Sequence, residues 1–588
     1  MFLEKFKDYA KKNNDFIIVN IGGSLADKNN KDRYDELSDI DIFIVTEKKD
    51  YYLNNVKWLD FFNEKFIYFH DPISMGIGTE LRVAFESGLL VDMAIVDSDE
   101  FKLLKSNKVF CEKILNRGTI NIKNLERKEE HNYYLVKENS IPLEYELNRK
   151  IDEFWIDMAN IYKYLSRNDI FSAKYAFDRR ITKILIYILE EYSKTINPSI
   201  DVMFNGRYMD RWLDDQSIKQ IYNINSSTNK SKMLNCIQSA IELFEDRINK
   251  IFKYYGYNIE NDKNIIINFI KNRIYNLCIL TYTLNTILKY NNGDNYNIIN
   301  KILLKKIKEQ YYNKQKLSFV IPAFPGKSPN KNSSFSYLPD YTENIAIDTI
   351  TNFINEINNV YPFKSEIIII HDGHFFTNIG ITRNEKELNE YINCLKSKFP
   401  RYIKSMTIYE LMGERKLEIA YKKFYEKYVE NTNDNIYNID LSKEILFTKY
   451  EFYDKIISTD SMSKNQLQMK SKQIAMSSLE IKKGINKMIK NLFPDSIRLS
   501  VHYQDNSSEK MGLKLLPNAI NNGTPWFYVA YRTSTEKIIL GKKNWQFESK
   551  KLINSNKGKY YLIDDEDFNR FKNGEVNKNI LNERELNR

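Results

Sequence analysis

The chain has 588 residues with 42% hydrophobic and 14% aromatic content, which excludes wholesale disorder and is more than a single core would need. Its net charge of +10 is spread along the chain, since acidic and basic residues alternate within predicted helices such as 242–250. This pattern argues against a nucleic-acid partner, which needs basic residues focused on one face, and favours small anionic substrates.

Two predicted strands in the first hundred residues carry three carboxylates. Apolar and polar residues alternate in segment 38–45, so Asp39 and Asp41 project from one face. A further apolar segment, 89–96, contributes Asp92. On adjacent strands the three side chains would form an oxygen cage suited to Mg²⁺, which prefers carboxylates, water and substrate phosphates. We therefore expect a metal site here.

A third apolar segment, 16–24, ends in Gly-Gly-Ser. Backbone N–H groups and a hydroxyl at such a turn suit a triphosphate, which makes Gly23 and Ser24 candidate nucleotide-binding residues. Together with the carboxylates, the turn resembles the signature of the nucleotidyltransferase superfamily. The resemblance implies a nucleoside triphosphate, ATP, as the substrate and Mg²⁺ as the metal.

A closer resemblance is to the aminoglycoside 6-adenylyltransferases, and it covers roughly residues 1 to 290. It extends beyond the strands into Asp152-Glu-Phe-Trp155 and two predicted helices, 156–165 and 170–192. The resemblance implies transfer of an adenylyl group from ATP to a small molecule.

One departure from this family concerns the acceptor. The family is expected to hold an acidic base for the acceptor hydroxyl in the second of these helices. This chain has Tyr175 there, with Asp178 about one turn further on. We therefore expect the acceptor to differ from an aminoglycoside.

The most informative segment of the chain is 321–330, which holds three of its twelve prolines and follows a short apolar run, 317–321. Proline fixes φ, so the segment is predicted to be a stiff loop at the end of a strand, where open α/β sheets bind ligands. Lys327 and Ser328 lie in this loop. Its Gly-Lys-Ser triplet is not a nucleotide P-loop, because Ile321 stands where that motif needs a glycine.

A continuous apolar run, 367–370, predicts a central parallel strand with His371-Asp372-Gly373-His374 at its carboxyl end. Imidazole titrates near neutrality and suits acid–base chemistry, and Asp372 could orient either His371 or His374. The alternative interpretation is a strand-end turn in which Asp372 caps the following helix.

Segment 496–502 also alternates, so Arg498 and His502 share one face that is either solvated or lines a site. Two strands are predicted to carry Arg498 and Trp526. Lys510 and the Thr-Pro-Trp element around Trp526 favour a site, because Arg498, Lys510 and Lys327 together offer three cations for an anion.

Three blocks of this half resemble the signature of the isonitrile synthase family, which includes the pyoverdine and dityrosine biosynthesis proteins. The blocks are 321–330, 367–377, and 497–502 with 510–513 and 524–526, and the resemblance covers roughly residues 316 to 550.

The resemblance implies condensation of the amine of an aromatic amino acid, Tyr or Trp, with the ketone of ribulose 5-phosphate. Fragmentation then leaves C2 of the sugar as the isonitrile carbon, and no redox cofactor is needed. The dityrosine branch of the family forms an N-formyl amino acid instead. Asn378 stands where many members have an acidic residue, so the fragmentation step is the part most open to change.

The implied roles fall into two sets in this half. The implied catalytic residues are Lys327, Asp372, His374, Arg498 and His502. The implied substrate-binding residues are Ser328, His371, Lys510 and Trp526.

The predicted fold class is a multidomain α/β protein. Its parts are a nucleotidyltransferase α/β domain at 1–140, a helical domain at 141–300 and a Rossmann-like α/β isonitrile-synthase-like domain at 316–588, with an Asn-rich boundary at 291–300. The predicted function is a bifunctional biosynthetic enzyme, a transferase in both halves. The alternatives are an antibiotic adenylyltransferase with an accessory C-terminal domain, an N-formyl amino acid synthase, and a non-catalytic metabolite-binding scaffold.

The compartment is predicted from three further features. The first residues lack the apolar region of a signal peptide, and no apolar stretch reaches the ~18 residues of a membrane span. The cysteines lie far apart without a paired spacing, as in a reduced compartment. We therefore expect a cytoplasmic protein with small-molecule substrates and no membrane partner; the oligomeric state is not predicted.

Overall fold

The computed structural model describes most of the chain. The described residues are 2–26, 38–73, 76–107, 118–125, 141–200, 202, 206–259, 261–293, 297–430, 441–442, 444–445, 448, 464–504, 508–521 and 523–575. The chain divides into two compact units. One comprises 1–149, 184–221 and 243–258, and the other comprises 150–183, 222–242 and 259–588.

A six-stranded mixed sheet forms the centre of the first unit. Its strands are β1 (Ile18–Ile21), β2 (Ile40–Val45), β3 (Phe66–Pro72), β4 (Thr79–Phe85), β5 (Leu90–Val96) and β6 (Ile120–Asn124), in the order β3-β4-β5-β2-β1-β6. Strands β2 and β5 pair in parallel, whereas the other neighbours are antiparallel. The strands predicted around 16–24, 38–45 and 89–96 are all present.

Amphipathic helices cover this sheet. The helix Phe2–Lys12 buries Phe2, Phe6 and Ala10, which recur at three- or four-residue spacing and so share one face. The sheet is also flanked by Lys49–Asn54, the 3₁₀ segment Val56–Phe62 and Ser98–Ser106. Asp97 begins the last of these with a complete capping box.

The middle of the chain is helical, as predicted. Its helices are Glu144–Ser166, Ile170–Ala176, Thr182–Ile196, Met209–Trp212, Asp215–Asn223, Lys230–Tyr255, Asn261–Lys289 and Asn297–Tyr312. The helix predicted as one element at 170–192 is interrupted by a π-helical turn, Phe177–Ile181.

A five-stranded parallel sheet organises the second unit. Its strands are β7 (Leu317–Ala323), β8 (Ser365–His371), β9 (Ile403–Met406), β10 (Ile497–Ser500) and β11 (Met511–Gly512), in the order β11-β10-β7-β8-β9. The connecting helices are Tyr341–Val360, Glu385–Lys396, Ile408–Met412, Leu417–Tyr428 and Lys464–Leu492, with a 3₁₀ segment at Gly373–Ile379.

Strand β8 is apolar throughout because both faces of this sheet are covered. Ile367 and Ile369 pack in one core cluster with the helix Tyr341–Val360. Ile368 and Ile370, on the opposite face, pack in a second cluster with the helices Leu417–Tyr428 and Lys464–Leu492. The alternation of side chains across the strand thus supplies two cores from one run of isoleucines.

A four-stranded sheet follows near the end of the described chain. Its strands are β12 (Val529–Arg532), β13 (Ile538–Gly541), β14 (Lys551–Ser555) and β15 (Gly558–Leu562), in the order β13-β12-β15-β14, and the helix Asp565–Lys572 comes after them.

The prediction that a strand carries Trp526 is wrong. Trp526 lies in a 3₁₀ turn, Pro525–Phe527, and β12 begins only at Val529. Proline has no N–H to donate to a strand ladder, so Pro525 favours the first position of a helical turn instead.

Among the described residues no helix is both long enough and apolar enough to cross a membrane.

Candidate active sites

Three carboxylates converge on the sheet of the first unit. Asp41 lies in β2 and Asp92 in β5, and the parallel register pairs these two residues directly. Asp39 immediately precedes β2, and one ligand atom from each of the three side chains lies within 4.8 Å of the others. The structure therefore brings together the three residues predicted to bind metal.

This cluster carries more negative charge than its surroundings neutralise. Burial, together with Asp39 and Asp92, raises the pKa of Asp41 to about 7. Burial and the nearby Glu80 raise the pKa of Asp92 to about 6, although Arg82 opposes that shift. Carboxylate oxygens at this spacing fit a divalent cation with a preference for oxygen ligands, and such a cation would relieve the repulsion.

The turn after β1 approaches this cluster closely. Gly23 has φ +65°, and a Cβ added there would lie 1.7 Å from Asp41 Oδ2, so only glycine permits the approach. Gly22 N donates to the backbone oxygen of Asp41 over 2.9 Å. The buried hydroxyl of Ser24 has no hydrogen-bond partner. Gly23 and Ser24 are thus placed where a polar ligand beside the carboxylates would meet them.

A second group of charged side chains gathers on the face of the parallel sheet that packs against the helix Lys464–Leu492. Arg498 lies in β10, and Lys510 directly precedes β11. Both donate to Asn486, with Lys510 Nζ 3.0 Å from Asn486 Oδ1 and Arg498 Nη1 3.1 Å from the Asn486 backbone oxygen. Arg498 also donates to Asn486 Oδ1.

The two cations share a neutral partner. In the described part of the chain, neither Arg498 nor Lys510 forms an ion pair with a carboxylate, and Arg498 Nε is buried without a hydrogen-bond partner. Burial lowers the pKa of Arg498 to about 10, and burial together with Arg498 lowers that of Lys510 to about 8. Two uncompensated cations with a spare N–H form a site for an anion.

Asp372 and His502 lie in the same electrostatic environment. Asp372 follows β8 and is partly exposed, but its Oδ1 is buried without a hydrogen-bond partner, and burial raises its pKa to about 7. His502 follows β10 and is exposed, yet the surrounding protein and then Lys482 lower its pKa. Lys482 acts on both groups, and Lys510 also acts on His502. Asp372 can therefore exchange a proton near neutral pH, whereas His502 favours its neutral form.

Three further residues of this site, Ser478, Lys482 and Asn486, were not identified from the sequence. Lys482 Nζ is 2.7 Å from Glu444 Oε2, and Ser478 Oγ donates to Glu444 Oε1 over 2.6 Å. Asn486 completes the set through its contacts with the two cations. The available signal was the spacing of Ser478, Lys482 and Asn486, four residues apart on one face of the helix Lys464–Leu492.

Lys327 occupies a different environment. Its ammonium is fully buried, 2.9 Å from Asp340 Oδ2 and 2.8 Å from Glu343 Oε2. Burial alone would lower the pKa of Lys327, but the two carboxylates raise it overall. Asp340 and Glu343 form the capping box of the helix Tyr341–Val360, so Lys327 ties the Pro-rich loop to that helix.

The rest of the loop is held by backbone contacts. Ser328 is buried, and its N–H donates to the backbone oxygen of Trp526, itself a buried side chain. A Cβ added at Gly373 would lie 2.1 Å from the Pro325 oxygen, so the loop rests directly on the turn after β8. Ser328 and Trp526 thus lie beside the turn that follows β8, at the carboxyl end of that strand.

His371 and His374 are both buried. His371 Nε2 is 2.6 Å from Ser405 Oγ, and burial lowers its pKa to about 3. His374 Nε2 lies 3.1 Å from Asn389 Oδ1, its Nδ1 has no partner, and burial lowers its pKa. The charged neighbours of His374 are Glu385, Glu410 and Lys396, which differ from those of His502, so these histidines lie in separate environments.

Comparison with known families assigns the two halves separately. The family model "Streptomycin adenylyltransferase" matches residues 2–273, and "Pyoverdine/dityrosine biosynthesis protein" matches residues 307–553. Both resemblances stated from the sequence motifs are thereby confirmed, as is the mixed α/β fold class with an N-terminal nucleotidyltransferase-like part.

Individual relatives agree with this division. An L-tryptophan isonitrile synthase of Fischerella ambigua is 25% identical over 259 residues, which span 41% of this chain and 78% of that protein. An L-tyrosine isonitrile synthase of Xenorhabdus nematophila is 26% identical over 258 residues, or 42% of this chain and 76% of that protein. An aminoglycoside 6-adenylyltransferase of Staphylococcus aureus is 23% identical over 287 residues, or 47% of this chain and 98% of that protein.

Replacement of Lys327 by Met should destabilise the protein strongly, because two carboxylates would be left buried without their cation, at a cost of about 3–5 kcal/mol. The matched control is Lys557→Met. It removes an exposed ion pair to Asp348, which lies in the helix Tyr341–Val360 that Asp340 and Glu343 cap, and it should cost about 0–1 kcal/mol. Chemical denaturation followed by tryptophan fluorescence measures both. Equal stability of the two variants would contradict a structural role for Lys327.

Asp41→Asn should abolish stabilisation by Mn²⁺ or Mg²⁺, which for the unaltered protein amounts to about 2.7 kcal/mol at 100 times the Kd. Without metal this variant should be no less stable than the unaltered protein, because one of three repelling carboxylates is removed. Calorimetric titration and thermal unfolding test this, with the exposed Asp50→Asn as control. A metal effect that survives in Asp41→Asn would show that Asp41 is not a ligand of the stabilising cation.

Proposed function

Because the chain joins an adenylyltransferase-family half to a pyoverdine/dityrosine-family half, we propose that it is a bifunctional biosynthetic enzyme. The C-terminal half condenses an aromatic amino acid with ribulose 5-phosphate to form an isonitrile. The N-terminal half transfers a nucleotidyl group from ATP to a small molecule of the same pathway. Both substrates with phosphate groups occur inside cells, which supports a cytoplasmic location for the enzyme.

The observation that carries the synthase proposal is the uncompensated pair Arg498 and Lys510. Ribulose 5-phosphate brings a phosphate and the amino acid a carboxylate, and both anions need cationic partners. Arg498 suits a two-point contact with either group, whereas Lys510 acts as a point charge. Both side chains lie on one face of the parallel sheet, where their shared contact with Asn486 brings the two charges together.

Proton transfer in this half falls to Asp372 and His502. Condensation of an amine with a ketone requires removal of protons from nitrogen and donation of a proton to the departing water. Burial raises the pKa of Asp372 to about 7, so near neutral pH this carboxyl group is available in both forms. His502, with a lowered pKa, is available as a base. The Lys482 cation acts on both groups and favours the ionised form of Asp372.

The remaining predicted residues have supporting roles in this proposal. Lys327 fixes the Pro-rich loop through its buried ion pairs, and Ser328 and Trp526 hold the loop against the wall of the site. His371 and His374 shape the turn that presents Asp372. The proposed reaction requires no redox cofactor.

In the N-terminal half, Asp39, Asp41 and Asp92 would hold Mg²⁺, and Gly23 and Ser24 would meet the phosphates of ATP. Mg²⁺ supplies charge neutralisation and alignment for in-line transfer at phosphorus. The turn after β1 contributes its N–H groups and the unpartnered Ser24 hydroxyl to the same phosphates.

Incubation of the protein with ribulose 5-phosphate labelled with ¹³C at C2 and either Tyr or Trp should yield a labelled isonitrile, detected by mass spectrometry. Arg498→Met should lower kcat/KM about 10- to 100-fold, as expected for loss of charge-assisted hydrogen bonds of ~1.5–3 kcal/mol. The exposed Arg415→Met serves as control. A labelled N-formyl product would instead assign the dityrosine-type reaction, and absence of any labelled product from folded protein would refute the synthase proposal.

The synthase reaction should also lose efficiency in alkaline solution. Lys510 is charged below its pKa of about 8 and neutral above it. The sugar phosphate remains anionic throughout this range, so kcat/KM should fall about tenfold per pH unit above pH ~8. Lys510→Arg should move this fall to higher pH, because guanidinium stays protonated. An alkaline limb that is unchanged in Lys510→Arg would exclude Lys510 as its source.

A further inference from the structure

A cavity of about 260 Å³ opens on the helical segment of residues 150–183. The helix Glu144–Ser166 contributes Tyr164, and the helix Ile170–Ala176 contributes Phe171 and Tyr175. The cavity is slightly smaller than the ~300–1,000 Å³ typical of drug-sized ligands, so it suits a molecule the size of one aromatic amino acid.

Aromatic side chains line this cavity, and two of them are largely exposed to solvent. Phe171 is 73% exposed and Tyr175 is 55% exposed, four residues apart on one helical face. Large apolar side chains left open to solvent on one side of a cavity mark a binding surface. A flat ring placed between these side chains would cover both.

Two consecutive arginines supply positive charge at the same place. Arg179 Nη1 donates to the Tyr175 hydroxyl over 2.6 Å, and in the described part of the chain Arg179 forms no ion pair with a carboxylate. Arg180 contacts Asp157 at 2.9 Å, and Asp157 does not line the cavity. Both arginines belong to the π-helical turn Phe177–Ile181, and such turns occur frequently at functional sites.

No acidic side chain lines the cavity among the residues that the structure describes. Asp178, the nearest acid in the sequence, contacts Lys174 and the Ser226 hydroxyl instead. Arg179, which forms no ion pair in the described part of the chain, and the absence of a lining carboxylate disfavour a polycation such as an aminoglycoside. They favour a ligand that is both aromatic and anionic.

We propose that this cavity binds an aromatic carboxylate and that a carboxylate of this class is the acceptor for nucleotidyl transfer. The second part rests on the proposed function of the N-terminal half. An oxygen of the carboxylate bonds to the α-phosphorus of ATP, the bond from that phosphorus to the β-bridging oxygen breaks, and pyrophosphate leaves. The product is an acyl adenylate.

Transfer to an acceptor of this class needs no general base. A hydroxyl acceptor must lose a proton, whereas a carboxylate is already ionised and the transfer moves no proton. The isonitrile formed in the proposed synthase reaction retains the carboxylate of its amino acid. The nucleotidyl transfer would therefore consume that product and activate it for a later acyl transfer.

Calorimetric titration of the full-length protein with N-formyl-L-tyrosine tests the cavity itself, with tyramine as the cationic counterpart. Arg179→Gln and Phe171→Ser should each weaken binding of N-formyl-L-tyrosine at least tenfold, whereas Arg167→Gln, exposed and outside the cavity, should leave it unchanged. Tyramine should bind at least tenfold more weakly. Equal binding of tyramine, or undiminished binding in both cavity variants, would overturn the site.

Transfer is measured separately with Mg·ATP, N-formyl-L-tyrosine and hydroxylamine. Pyrophosphate release together with an aromatic hydroxamate, both reduced by Arg179→Gln, would support the acceptor assignment. Cavity binding without either product, while another acceptor is adenylylated, would refute the carboxylate as acceptor. Cavity binding with no transfer to any acceptor, streptomycin included, would refute the nucleotidyltransferase function and leave the binding site established.

Discussion

Parallel pairing of β7, β8 and β10 is the constraint on which the C-terminal half depends. Because the three strands run in one direction, the segments that directly follow them begin at the same edge of the sheet. The Pro-rich loop, the turn containing Asp372 and the segment containing His502 therefore lie along the same edge, although they are far apart in sequence. The helices on both faces bury the strands and hold this edge in place.

The two halves each hold partly buried side chains of like charge, negative in the N-terminal half and positive in the C-terminal half. In the N-terminal half, Asp41 and Asp92 accumulate negative charge that a metal and its nucleotide would balance. In the C-terminal half, Arg498 and Lys510 accumulate positive charge that an anionic ligand would balance. In both places the imbalance is maintained by burial on a rigid sheet, where it costs stability and is compensated only when a ligand binds.

The strands and the carboxylate cluster could be predicted from sequence because each depends on local periodicity. The pair Asp41 and Asp92 required only that two apolar strands be neighbours. The environment of Lys327 could not be predicted, since its partners come from the capping box of the next helix and nothing in the loop specifies that contact. Burial of His374 escaped prediction for the same reason: its surroundings are set by tertiary packing.

Residues from outside the motifs were the other part that sequence did not reveal. Lys482 and Asn486 belong to a long helix with no signature of its own, and only their four-residue spacing marks one polar stripe. The π-helical turn Phe177–Ile181 was also invisible, because it inserts one residue into an otherwise regular helical pattern. Both features depend on how a helix is placed, which local propensity does not determine.

The contact of the Pro-rich loop with Gly373 limits how this enzyme can adapt. The Pro325 carbonyl and the Gly373 backbone touch with no side chain between them. Substitution therefore has no intervening side chain to alter at this junction, and any side chain at Gly373 would displace the backbone that presents Asp372. A change in ligand preference must arise at other positions of this half, because the junction itself has no room for one.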